Sequence, residues 1–186
     1  MKNILFLLVF SFYLGGEACA SAPKYLGTRA CEKCHMGEPR PVMDQWLKGP
    51  HSVAFKRLLE PASRKLAASL EINSPEKSPK CLVCHATGFL REDRPEVTEG
   101  VGCEACHDPG QRYANFKTMA RLGGLRLRKP KESAVFAKKV GLKYPTGEDC
   151  MRCHGPQIEV DQVTYLNPHN QPFDLKAAMV TIRHWR

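Results

Sequence analysis

Apolar positions in this chain come in short, interrupted groups. The first is a continuous run, Ile4 to Leu14, just after Lys2. It is too short for a bilayer span of roughly 20 residues and has the make-up of a secretory leader. Ala18-Cys19-Ala20 supplies an A-x-A cleavage pattern. We therefore expect a signal peptide over 1–20 and a single mature domain over 21–186, beginning at Ser21. Cys19 leaves a second route, lipidation, for which Gly16 and Glu17 are poor neighbours. Either route implies export to the periplasm of a Gram-negative bacterium, and only an uncleaved or lipidated leader would attach the chain to a membrane.

Beyond the leader the pattern is helical but broken. Val42, Trp46, Val53, Phe55, Leu58, Leu59 and Leu66 recur at mixed three- and four-residue spacings over Pro41 to Leu70. Gly49-Pro50 and Pro61 should divide that stretch into two or three short helices. Ile72 to Lys80 reads as a polar loop. A helix is predicted over Tyr113 to Leu122, ended by Gly123-Gly124. A last one is predicted over Asp174 to Trp185, with Asp174 near its start. Strand signals are few.

Such a pattern leaves little to build a core from. Only 8% of residues are aromatic, and Pro and Gly number 14 each. Thin cores of this kind usually need disulfides, a metal or a cofactor.

The cysteines show which. Eight of the nine fall into four copies of one pattern: Cys31-Glu32-Lys33-Cys34-His35, Cys81-Leu82-Val83-Cys84-His85, Cys103-Glu104-Ala105-Cys106-His107 and Cys150-Met151-Arg152-Cys153-His154. C-x-x-C-H is the attachment signature of c-type haem. Two thiols three residues apart reach the two vinyl groups of one porphyrin, and the following histidine reaches the iron. A zinc knuckle does not require that histidine, and disulfides require no such spacing. The pattern thus assigns four covalently bound haem c groups to Cys31, Cys34, Cys81, Cys84, Cys103, Cys106, Cys150 and Cys153. His35, His85, His107 and His154 become proximal iron ligands. Haem would fill the apolar volume that the side chains do not, and the unloaded chain should fold poorly. The motifs are 50, 22 and 47 residues apart, so there is no strict repeat. The expected fold is mainly α: a single loop-rich multihaem cytochrome domain with short helices packed around four c-type haems.

Seven histidines are present, so His51, His169 and His184 remain for four distal positions. A second axial histidine gives a six-coordinate iron suited to electron transfer, while an iron without one can bind a small molecule. At least one haem must lack a distal histidine. Met36, Met43, Met119 and Met151 are weaker candidates and read first as core filler; Lys117 and Tyr113 are weaker still.

With these residues in view, the chain resembles the tetrahaem cytochrome c-554 family of ammonia-oxidising bacteria. The likeness is carried by Y-L-G-T-R-A-C-E-K-C-H from Tyr25, by Trp46 followed by Gly-Pro-His51, by C-L-V-C-H-A-T-G-F and by G-V-G-C-E-A-C-H-D-P-G. It is strongest over 25–60 and 80–112 and weaker over 145–186, where Phe173-Asp174 fits. The resemblance implies closely packed haems relaying electrons between redox partners. It implies that His51 serves the haem of His154, that His184 serves the haem of His107, and that the haem of His85 is five-coordinate. One departure stands out. The relative's histidine ten residues past the third motif is Lys117 here. Either His169 serves the haem of His35, or that haem is also open.

The formal charge of +9 is partly offset by haem propionates, which Lys and Arg can pair. Arg121 to Lys143 is the densest basic stretch, and three readings stand for it: a solvated linker, a dock for an acidic redox protein, or propionate contacts. An exported haem protein points away from nucleic acid. The expected function is a periplasmic electron-transfer relay between redox partner proteins, a reading favoured over an enzyme. The alternatives are a nitric oxide or nitrite type reductase at a five-coordinate haem, and a haem subunit of a larger oxidoreductase complex.

Overall fold

The computed structural model describes residues 21–38, 41–92, 94–169, 171–182 and 184. The expected signal peptide with Cys19, Asp93 and Trp185 lie outside the described residues. The observed class is mainly α, with short helices and long connections. Four of the helices carry the haem motifs: α1 (Thr28–His35), α5 (Pro79–His85), α6 (Cys103–His107) and α9 (Gly147–His154). Each ends on the motif histidine. Cysteines at i and i+3 and a histidine at i+4 share one helix face, so one short turn presents two thiols and an imidazole together.

The broken amphipathic stretch folds as α2 (Val42–Leu47), a 3-10 turn over Pro50–Val53, α3 (Ala54–Arg57) and α4 (Pro61–Ser69). Pro50 and Pro61 each sit in the first turn of their element, where a missing N–H costs nothing. The loop after Ile72 is shorter than expected, because Pro79 opens α5 instead of lying in the loop.

The helix expected to stop at Gly123-Gly124 runs on. α7 spans Phe116–Arg128, its N-terminus capped by the Asn115 side chain, which accepts from Thr118 N at 3.0 Å. Each glycine costs about 1 kcal/mol relative to alanine. Packing against α8 (Pro130–Val140) outweighs that: Leu122 and Ala137 are buried together with Tyr113 and Leu142. The break falls at Lys129-Pro130, since the residue before proline is driven out of the helical region. Gly141, left-handed at φ 80°, closes α8. The basic stretch is thus two packed helices, not a linker.

A smaller cluster, Phe55, Leu58, Leu82 and Ala86, joins α3 to α5. After α9 the chain forms an antiparallel hairpin of β1 (Gln157–Val160) and β2 (Val163–Leu166), with Gln157 opposite Leu166. α10 (Leu175–Ile182) follows, and Asp174 accepts from Ala177 N at 3.0 Å, as its place before the helix suggested. Among the described residues no helix is long and apolar enough to cross a membrane.

Candidate haem-binding sites

The motif helices meet in pairs. α1 packs beside α6 and α5 beside α9. The Cys31 thiol is pushed well up by its hydrogen bond with Cys103 and by burial, and Cys84 is raised in the same way by Cys153 and burial. Burial lifts Cys106 to about 11. The hydrogen bonds that raise Cys31 and Cys84 lower Cys103 and Cys153, so each pair shares one contact between a motif of one helix and a motif of its neighbour. Among the described residues no three His, Cys, Asp or Glu side chains converge as an ion cage would need.

The histidines are arranged differently. His51 faces His154 with ring centroids 6.1 Å apart, His184 faces His107 at 5.8 Å, and His169 faces His85 at 6.1 Å. Two imidazoles on opposite sides of one metal each lie about 2 Å from it through nitrogen and about 1 Å more to the ring centre, so their centroids stand about 6 Å apart. All three pairs have that spacing. The proton positions also suit ligation. His85 Nδ1 donates to the Ala54 carbonyl at 2.6 Å and His107 Nδ1 to the Lys143 carbonyl at 2.8 Å. His184 Nδ1 donates to the Ile182 carbonyl at 3.0 Å. A carbonyl cannot donate, so Nδ1 holds the proton and Nε2 keeps its lone pair. Burial holds His51, His85, His107, His154 and His184 below the usual imidazole range, which favours the neutral form a metal binds. The residues present therefore fit haem.

His51 is placed by a strap. Its carbonyl accepts from Val101 N at 3.0 Å, and Trp46 Nε1 donates to Val101 O at 2.9 Å. The strap, Gly100-Val101-Gly102, leads into α6. Gly100 is left-handed at φ 77°, and a Cβ on it would lie 2.6 Å from the His51 carbonyl oxygen. Gly102 N donates to Thr87 Oγ1 at 2.8 Å.

No positioning role was evident from the sequence for several residues that hold the motifs, Phe173 among them, which was noted only for the resemblance. Glu104, inside the third motif, is buried and accepts from Leu26 N, Gly27 N and Gly110 N at 2.6–3.1 Å, tying the entry to α1 onto α6. Asn167 joins the hairpin to the fourth motif. Phe173 stacks on His154. None of these roles is marked in the sequence, because each depends on tertiary contacts. Of the weaker ligand candidates, Met119 packs in the Tyr113 cluster and Met43 is buried on α2. Met36, Met151 and Lys117 are exposed. The Tyr113 hydroxyl donates to the Asp108 carbonyl at 2.7 Å.

Residues 30–108, which hold three of the motifs, match the model of the family described as cytochrome c554 and c-prime. This is a family of c-type cytochromes. Covalently bound haem c is the group such a family carries. Cytochrome c-554 of Nitrosomonas europaea is 29% identical over 160 residues, covering 78% of this chain and 63% of that protein. The match therefore spans less than two thirds of the relative's length. No solved structure matches the chain. The resemblance read from the motifs is borne out by these similarities.

Proposed function

We propose that this chain is an exported electron-transfer protein that holds four haems, one at each C-x-x-C-H motif, and passes electrons between redox proteins in the periplasm. Haem, when bound, supplies a one-electron iron couple. The paired cysteines of each motif form the thioether links, and His35, His85, His107 and His154 bind from the proximal side. His51 completes the site of His154, and His184 that of His107. The observation that carries the reading is the spacing of about 6 Å between motif and non-motif histidines. Paired axial histidines change little on a change of oxidation state, which favours transfer over catalysis, and carbonyls hold the rings of His107 and His184. The pairing of α1 with α6 and of α5 with α9 supports short steps between sites. Cys106 adds to this, since Cys150 and Cys153 lie near enough to raise its thiol further.

Haem counting tests the reading. Pyridine haemochrome absorbance per chain, with intact mass, should give four haems, and the mature N-terminus should be Ser21. Replacing both cysteines of any one motif with alanine should remove one haem. A count below four, or a chain that loses no haem on such replacement, overturns it.

A further inference from the structure

We propose that His169 is the second axial ligand at the motif of His85. The inference rests on the haem reading above. It reverses what the family resemblance implies, a five-coordinate site at the second motif.

The hairpin leaves α9 directly after His154 and returns at Leu166. Asn167 then turns the chain back. Its buried side-chain amide donates to the carbonyls of Cys153 at 2.8 Å and Gly155 at 2.7 Å. Its Oδ1 accepts from His169 N at 2.9 Å. One side chain thus anchors the loop to the fourth motif and sets the backbone of His169. A second tie runs to the second motif: Lys80 Nζ on α5 lies over the Tyr165 ring of β2, 4.4 Å from its centroid. The hairpin is fastened at one side to α9 and at the other to α5, and His169 comes to rest 6.1 Å from the His85 ring. Because His85 Nδ1 is committed to the Ala54 carbonyl, Nε2 is the atom left for a metal between the two rings.

His169 stands opposite His85 as His51 stands opposite His154 and His184 opposite His107, with ring centroids 6.1, 6.1 and 5.8 Å apart.

The test uses the fully loaded protein. Haem content is measured first, so that a failure of the haem reading shows as a count below four. With four haems present, carbon monoxide titration of the reduced His169→Ala variant should show one more carbon monoxide-binding haem than the parent. Imidazole in the buffer should restore the parent's low-spin spectrum, which a merely structural role of His169 would not permit. In a chain lacking the second haem (Cys81→Ala with Cys84→Ala), His169→Ala should add nothing. Unchanged carbon monoxide binding in His169→Ala overturns the proposal. So does a gain that persists without the second haem, because His169 would then serve another iron. If the variant lacking the second haem does not fold, the low-spin electron paramagnetic signals of His169→Ala decide. Loss of one bis-histidine signal supports the assignment, and retention of all of them refutes it.

Discussion

Phe173 lies flat against His154, with ring centroids 4.2 Å apart and planes 13° from parallel. Stacking of this kind contributes about 0.5–1.5 kcal/mol beyond the area buried, and here it also limits rotation of the His154 imidazole. Phe173→Ala should leave the haem count unchanged. It should shift the electron paramagnetic g values of one low-spin haem and lower stability by about that amount in guanidinium unfolding. Unaltered g values would mean that Phe173 packs without orienting the ring.

Glu104 gathers three backbone N–H groups from two separate segments. Glu104→Gln keeps the shape but turns an amide N–H₂ toward those donors. Leaving buried donors unsatisfied costs about 1–3 kcal/mol. The unfolding midpoint should fall by the equivalent amount with no change in denaturant slope.

Gly102 has no room for a side chain: a Cβ there would fall on Glu99 Oε1 and Thr28 Oγ1, which are hydrogen-bonded to each other. Gly102→Ala should cost roughly 1–3 kcal/mol through overpacking. Gly141→Ala serves as the comparison, because a Cβ there meets nothing within 4 Å and only the left-handed φ resists it. Thermal melts of the two variants should rank Gly102→Ala as the more damaging.

Asp149 closes a capping box with Thr146 at the start of α9 and pairs with Lys143. Burial works against its ionisation, but the Lys143 ammonium and the Thr146 N–H outweigh burial and hold its carboxyl below the ordinary value of 3.8. A depressed carboxyl adds stability above the unfolded-state value and loses it as pH falls through the folded one. Asp149→Asn should therefore be less stable than the parent at pH 7. The gap should close as pH falls below 3.8, which unfolding curves at a series of pH values would reveal.

The motifs were legible because their chemistry is local: i, i+3 and i+4 on one helical turn need no knowledge of the rest of the chain. The breaks at Gly49-Pro50 and Pro61 were legible for the same reason. Gly123-Gly124 misled because packing of Leu122 against α8 overrides intrinsic propensity. The hairpin was hidden for a different reason. Its strands have four residues each, and its turn puts Asp161 at φ 50° and Gln162 at φ 66° without glycine or asparagine to mark it. With the hairpin unseen, the destination of His169 could not be read, although the residue itself was a candidate. The resemblance alone set His51 beside His154, and their ring centroids lie 6.1 Å apart.

The side-by-side packing of α1 and α6 has a consequence for how the protein is made. Cys31 rests against Cys103, which lies far along the chain. A polypeptide synthesised from its N-terminus therefore completes its first motif long before the segment that covers it exists. Closing so long a loop must precede the contact. Until then Cys31 and Cys34 stay open to whatever installs the cofactor, and α5 waits in the same way for α9. The topology leaves the cysteines of the first motif uncovered until the distant segment that carries Cys103 is in place.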